Sequence, residues 1–366
     1  MPSNQFFKAI YFSDHKKVDS KTKGVVLAFG KRNENLYKSV AELESNELRK
    51  LLGTDSLLEL GQRAKQEGLP INTYCLWYLR KNLFTKEKAT DNKKYFKEKP
   101  ISYFANNVIE DDCLEVMKEI PSKSIDMVLC DLPYGITQNS WDSFIPLDLL
   151  WTQYERIIKD SGVIALTGQG LFTAKLALSN PKLFKYKITW IKSKPTNFLN
   201  AKKQPLRKHE DICIFYKKQP DYNPQMTYGE PYNKGFRKDQ LTGSYGDFKT
   251  VEVKSNGERY PTDVVYFKTA ESEGEVYHPT QKPVELGRYL IRTFTKKGDI
   301  VLDNTCGSGS FLVSAVLEGR KFIGIEKNQE VYLFKKHQVD YIDVCKQRIK
   351  EAQEQYKIEN SKVKLF

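Results

Sequence analysis

The sequence predicts an α/β fold, a parallel and doubly wound sheet, from about residue 101 onward. Three observations carry that prediction. Short apolar runs alternate with helical patterns, as in NNVIE, LEVMKEI, IDMVLC, LDLLWTQYERIIK and GVIALTG. A glycine-bearing turn, DNTCGSGSF at 303–311, joins the strand-like DIVL to the helical SGSFLVSAVLEG. Acidic residues stand just where several strand runs end, at Asp112, Asp131, Asp303 and Glu326.

Taken in order, residues 1–100 read as an N-terminal accessory region. A candidate strand, GVVLAFG at 24–30, precedes helical patterns in VAELESNELRKLLG and SLLELGQRAKQEG, each closed by a glycine suited to a C-cap. INTYCLWYLRKNLF predicts a third helix. TKEKATDNKKYFKEKP is charged and poor in aliphatics, and reads as a linker ending near residue 100. Residues 101–216 then supply the first part of the sheet, with KYKITWI and DICIFYK as later strands and LFTAKLALS as a helix. Residues 217–276 break the rhythm and are rich in Pro, Gly, Tyr and Lys. Residues 277–366 return to it, with strands DIVLDN and KFIGIE and a final basic amphipathic helix from DYIDVCKQRI onward.

The chain has 366 residues, enough for two domains, and a 40% hydrophobic share that can build a core. Its net charge of +13 favours a polyanionic partner. That charge is concentrated: residues 184–260 hold sixteen Lys and Arg against eight Asp and Glu, interleaved with thirteen aromatics. Such a surface suits phosphate contacts plus base stacking. The six cysteines form no C-x-x-C pair and lie in apolar contexts, which predicts reduced thiols in a cytoplasmic protein. The four histidines show no metal-ligand spacing, so no metal is expected. No apolar run approaches the roughly 20 residues that span a bilayer.

Two stretches carry chemistry. In DNTCGSGSF, Gly307 and Gly309 allow a tight turn and close backbone approach to a ligand. Leu312 stands where a dinucleotide fingerprint has its third glycine, which argues against a nicotinamide cofactor. Glu326, at the end of the next strand, suits the hydroxyls of a ribose, so the pair points to a nucleoside-containing cofactor. In DLPYG, Asp131, the Leu132 carbonyl, Pro133 and Tyr134 form a small acceptor site after the run IDMVLC. Two acceptors side by side hold an NH2 group, and a tyrosine face stacks on a flat ring. An exocyclic amine is a poor nucleophile because its lone pair is delocalised into the ring. Acceptors on its hydrogens favour a pyramidal nitrogen with a usable lone pair, and Asp131 is placed to take the proton released later.

Here the sequence resembles a known family. DLPYG is similar to the catalytic D-P-P-Y motif of amino-group DNA methyltransferases. DNTCGSGS resembles their glycine loop for S-adenosylmethionine, HPTQKP at 278–283 resembles the phrase that precedes it, and EDDCLEVMKEIPSKSIDMVLCDLPYG resembles the run into their catalytic motif. The resemblance covers roughly residues 103–356. The motif order, catalytic first and glycine loop last, resembles the β class. It implies a circularly permuted, Rossmann-like methyltransferase sheet with residues 217–276 as an inserted target recognition region. Leu132 replaces the usual first proline, and Asn304-Thr305 replace Pro-Phe.

The resemblance implies that Asp131, Leu132, Pro133 and Tyr134 hold and activate a flipped-out base, with Tyr134 stacking on it. It implies that the cofactor lies across Asp303, Thr305, Gly307 and Gly309. Glu326 would take its ribose, Asp112 its adenine, and His278, Thr280 and Lys282 would lie at its methionine end, with Lys282 facing the carboxylate. Lys194, Lys202, Lys203, Arg207, Lys208, Lys234, Arg237 and Lys238 are the expected DNA contacts, and Trp141 in the 138–141 loop fills the gap left by the base. Double-stranded DNA is the expected partner, and the resemblance leaves open a homodimer and a cognate restriction enzyme.

Asp at the first motif position favours adenine N6 over cytosine N4, the main alternative. Enzymes that methylate ribosomal RNA or protein glutamine usually carry Asn there. A non-catalytic DNA-binding protein on the same scaffold would not need Asp131, Tyr134, Gly307 and Gly309 together. A nicotinamide dehydrogenase leaves DLPY unexplained.

Overall fold

The computed structural model describes residues 98–134, 145–236, 252–328, 332–334 and 337–363. The strand and three helices expected within 1–97 lie outside the described residues, as do the 138–141 loop with Trp141, and Arg237 and Lys238.

After a single helical turn, α1 (Ile101–Phe104), the chain alternates strand and helix. It runs β1 (Asn107–Glu110), α2 (Cys113–Glu119), β2 (Ile125–Cys130), α3 (Leu147–Ile157), β3 (Ile158–Gly168) and α4 (Leu171–Ser179). A long antiparallel pair follows, β4 (Phe184–Thr196) and β5 (Arg207–Tyr216). Then come β6 (Thr227–Tyr228), β7 (Tyr232–Phe236), β8 (Glu252–Ser255), β9 (Glu258–Arg259), β10 (Val264–Phe267) and the short α5 (Ala270–Glu273). The rhythm resumes with α6 (Val284–Phe294), β11 (Ile300–Asp303), α7 (Ser310–Leu317) and β12 (Lys321–Glu326). A hairpin of β13 (Tyr332–Phe334) and β14 (His337–Val339) precedes α8 (Tyr341–Val363).

Among the described residues, eight strands form one sheet in the order β1-β12-β11-β2-β3-β5-β4-β10. Neighbours are parallel except where β5 meets β3 and β4. Strand β2 explains why its sequence is a continuous apolar run: a central parallel strand is covered on both faces. Ile125, Val128 and Cys130 face the layer of α2, α3 and α4, whereas Met127 and Leu129 face α6, α7 and α8. The charged residue of that run, Asp126, is satisfied at the strand's outer end. Lys159 donates to one oxygen at 2.6 Å and the Ile300 N–H to the other at 3.0 Å, which also seats β11 beside β2. Each large apolar side chain so buried is worth roughly 1.5–3 kcal/mol. A half-buried helix pair such as Lys118–Glu115 contributes about 0.5 kcal/mol at most, so the two apolar layers decide the fold.

The helix ends follow local chemistry. Asp112 caps α2 by accepting from the Leu114 N–H at 2.9 Å. The N-terminus of α6 is capped from outside its own segment: Glu273 accepts from the N–H groups of Val284 and Glu285 at 2.7 and 3.1 Å. That cap fixes where residues 278–283 enter the helix.

The segment expected to be purely an insertion does more than that. Its pairs β6–β9 and β7–β8 stand apart from the main sheet, but β10 joins it, with Val264–Phe267 in register with Thr189–Lys192. VVYF has the β-branched and aromatic composition of a strand, but its partner lies some 75 residues away, beyond any local pattern. The link between Glu326 and the last helix contains the β13–β14 hairpin.

Candidate active site

The chain moves from β11 outward to β12 and from β2 outward to β3, so β11 and β2 flank a switch point at the centre of the sheet. Ligands of open α/β sheets bind in the crevice at the carboxyl ends of strands at such a point. Asp131–Tyr134 follow the end of β2 there, Asp303 ends β11 there, and Glu326 ends β12.

Asp131 is the most heavily engaged group of the crevice. Its Oδ1 lies 3.0 Å from the Tyr134 hydroxyl and accepts from the Thr167 hydroxyl, and those two hydroxyls are 3.1 Å apart. Its Oδ2 accepts from Lys282 Nζ at 2.6 Å. Burial raises the Tyr134 hydroxyl well above its ordinary value, and the Asp131 charge adds to this, so it stays a donor. The Tyr134 ring stacks on Phe172, centroids 4.6 Å apart at 28°, and Lys282 Nζ lies 5.7 Å from its centroid. The face expected for a base is therefore backed by Phe172 of α4. Leu132 is buried beneath the motif and Pro133 is half-buried.

The glycine loop is pinned to this motif. Thr305, expected to touch a cofactor, turns its hydroxyl to the Asp131 backbone carbonyl at 3.0 Å and lies 3.0 Å from Cys130 Sγ. Gly307 and Gly309 both adopt left-handed φ, +50° and +77°, as the loop requires. The Gly307 N–H donates to Glu326 at 2.7 Å, and around its Cα nothing but the His278 ring edge comes within 4 Å of where a Cβ would be. Asp303 is buried, and burial pushes its carboxyl up to about 8, with the neighbouring Asp131 and Glu326 charges adding to the effect. A cation set against Asp303 would return it to the ionised form. Open backbone at Gly307, a carboxylate at the end of β12 and a buried carboxyl suited to an ammonium fit a nucleoside carrying an amino-acid arm. Asp112 holds its helix cap and lies 3.6 Å from Lys327 Nζ.

Residues 278–283 lie against the loop. His278 Nδ1 accepts from the Thr280 N–H at 3.2 Å, its ring packs on Tyr341, and Gln281 accepts from Ser308 at 3.2 Å. Burial, with the Lys282 charge behind it, lowers His278 to about 4, so the imidazole is neutral. Lys282 faces Asp131 and Glu210, and these two carboxylates outweigh the burial that would otherwise lower its ammonium and raise it further.

Sequence reasoning missed Thr167, Phe172, Lys192 and Glu210. A signal existed for Lys192: Ile188, Trp190 and Lys192 alternate on the buried face of β4, so the period that buries the first two buries the lysine. Of the expected DNA contacts, Lys194, Lys202, Lys203, Arg207, Lys208 and Lys234 are exposed. The turn between β4 and β5 carries Lys202 and Lys203 at the same end of the sheet as Asp131, and Arg207 donates to Gln169, just past β3, at 3.0 Å. Exposed Phe198, Leu199, Tyr228, Phe236 and Tyr260 interleave with these cations.

The chain is similar to known DNA methyltransferases. The chain is 30% identical over 241 residues to the DNA adenine methyltransferase YhdJ of Escherichia coli, covering 62% of this chain and 80% of that protein. It is 26% identical over 285 residues to the type II methyltransferase M.HinfI of Haemophilus influenzae, covering 69% and 70%. The crystal structure of an M1.HpyAVI–SAM complex is similar at a TM-score of 0.45 and 20% identity, over 66% of this chain and 98% of that one. The family model N6_N4_Mtase, described as DNA methylase, matches residues 125–337, from the start of β2 through the glycine loop and past Glu326; the chain belongs to that DNA methylase family.

Proposed function

We propose that this DNA methyltransferase transfers the methyl group of S-adenosylmethionine to the N6 amino group of an adenine flipped out of duplex DNA. The observation that carries the reading is the pairing of Asp131 and the glycine loop across one crevice, tied by the Thr305–Asp131 hydrogen bond. When bound, S-adenosylmethionine supplies a methyl group already activated by its sulfonium. Asp303 and Glu326 would hold its ammonium and ribose hydroxyls, and Gly307 allows the close approach.

The chain's own residues do the rest. Asp131 and the Leu132 carbonyl accept from the amino hydrogens, which localises the nitrogen lone pair for in-line attack. Tyr134 and Thr167 fix the carboxylate from one side and Lys282 from the other, so the acceptor is set before substrate arrives. Positioning two bound reactants accounts for much of the rate, up to roughly 7–11 kcal/mol in well-oriented cases. The proton leaves through Asp131 or water. Lys194, Lys202, Lys203, Arg207 and Lys208 carry phosphate contacts, and the flipped base enters beside Tyr134.

Asp at position 131 supports adenine, as does the similarity to the DNA adenine methyltransferase YhdJ. Mass spectrometry of nucleosides from unmethylated DNA, incubated with the protein and labelled S-adenosylmethionine, tests this. Labelled N6-methyladenine that vanishes with Asp131→Ala is the expected result. Labelled N4-methylcytosine would overturn the base assignment and keep the site.

A further inference from the structure

Four charged side chains from four separate segments alternate in sign beside the crevice. Asp131 Oδ2 meets Lys282 Nζ at 2.6 Å, Lys282 Nζ lies 3.4 Å from Glu210 Oε2, and Glu210 Oε1 accepts from Lys192 Nζ at 2.9 Å. The two lysine side chains are 9% and 4% exposed, so the row is sheltered from solvent. An apolar set of the same volume often stabilises a fold as well or better, so stability is a weak reason for such a row. Glu210 Oε2 is buried and receives no hydrogen bond among the described residues; it faces Lys282 as a charge, without hydrogen-bond geometry.

The acceptor capacity of Asp131 shows what that charge does. An ionised carboxylate offers about four lone-pair sites. Tyr134 and Thr167 take the two on Oδ1, and Lys282 takes one on Oδ2. The remaining site is on Oδ2, beside the ammonium, and a substrate amino hydrogen must use it. The exact seat of Lys282 therefore decides whether that site is open. The ammonium sits 2.6 Å from Asp131 Oδ2 and 3.4 Å from Glu210 Oε2, so Glu210 supplies a second pull on it beside that of Asp131.

We propose that Glu210, itself held by Lys192, is a positioning residue for methyl transfer: it divides the pull on Lys282 so that Asp131 keeps one acceptor site for the substrate amino group. The inference rests on Asp131 being the amino acceptor. The groups facing Lys282 are Asp131 and Tyr134 after β2, Glu210 of β5 with Lys192 of β4 behind it, and neutral His278 on its own segment.

The test compares the full chain with Glu210→Gln, Glu210→Asp and the double variant Glu210→Gln/Lys192→Met. The double variant removes both buried charges together and leaves no orphan, so it keeps the fold if the single variant does not. Steady-state transfer from labelled S-adenosylmethionine to DNA is measured between pH 6 and 10. A misplaced acceptor predicts a kcat loss of about 100-fold for Glu210→Gln and for the double variant, with KM for both substrates within about twofold. With one carboxylate fewer around Lys282, a falling alkaline limb in kcat enters the range, and Glu210→Asp restores most of the rate and removes the limb. A kcat within threefold of wild type and an unchanged pH profile in the double variant would overturn the proposal, provided Asp131→Ala is inactive. If Asp131→Ala still methylates DNA, the failure belongs to the reading of Asp131 itself.

Discussion

Replacing Gly309 with alanine tests the seat of the glycine loop. Gly309 is the N-cap of α7 at φ +77°, ψ 25°, and its carbonyl accepts from the Val313 N–H at 2.9 Å. A Cβ there meets two penalties. The left-handed conformation costs an L-residue about 1–2 kcal/mol. The added carbon would also overlap Cys345 Sγ and lie 3.4 Å from Cys345 Cβ, on the fully buried face of α8. Overpacking of this kind costs about 1–3 kcal/mol. The sum, about 2–5 kcal/mol, corresponds to a urea midpoint lower by about 0.7–1.7 M at an m-value near 3 kcal/mol/M. Cys345→Ala in the same chain separates the two penalties. It opens room for the new methyl but leaves φ unchanged, so the double variant should recover at least about 1 kcal/mol over the additive expectation. Urea unfolding followed by tryptophan fluorescence gives all four corners of the cycle. Strict additivity would refute the packing argument, and a midpoint for Gly309→Ala within 0.2 M of wild type would refute both.

Three further outcomes follow from the site. The Asp303 carboxyl titrates at about 8 in the fold against an ordinary 3.8, so between those values the folded chain holds a proton that the unfolded chain has lost. Stability without cofactor should therefore fall as pH rises from 4 to 8, and Asp303→Asn should flatten that slope in thermal melts across the range. Glu326→Gln weakens the acceptor for the Gly307 N–H and for a ribose diol, and should raise the Kd for S-adenosylmethionine about 10- to 30-fold by calorimetry, leaving DNA affinity unchanged. Lys202→Ala with Lys203→Ala should weaken binding to all duplex sequences alike and reduce the magnitude of the log–log salt slope by about 2, as read in fluorescence anisotropy titrations.

Much of the sheet was legible because its strands are central. IDMVLC, DIVL and KFIGIE are short apolar runs bounded by turn residues, and burial on both faces demands that composition. The glycine loop was legible because left-handed backbone selects glycine. Local pattern ran out where contacts are long-range. Nothing near VVYF announces that it extends the main sheet beside β4. Charge misled in the same way: a lysine in a basic stretch reads as solvated, yet Lys192 is buried because it keeps phase with Ile188 and Trp190. Nothing local to Lys282 announced its two counter-charges. Its partners, Asp131 and Glu210, precede it by 151 and 72 positions and meet it through sheet topology alone.

Thr305 shows why the two motifs work as one site. They are some 170 residues apart in the chain, and parallel pairing of β11 with β2 brings their strands together through Val301–Met127 and Leu302–Val128. Pairing fixes the strands, but the loops beyond their ends would still be independent. The Thr305 hydroxyl removes that independence by donating to the Asp131 carbonyl while accepting from the Cys130 thiol, which burial keeps protonated. Behind it, Tyr154 of α3 donates to Asn304 at 2.6 Å and holds the other side of the turn. In the proposed reaction, the loop expected to cradle one reactant is thereby bolted to the backbone of the residue proposed to hold the other. Methyl transfer needs the two reactants in line within a fraction of an ångström, and misplacement by 1 Å can cost about 100-fold. A phenylalanine at 305, the residue that many members of the resembled family carry, offers no hydroxyl for this link. The departure from the family pattern at Thr305 thus adds a hydrogen bond that couples the two halves of the crevice.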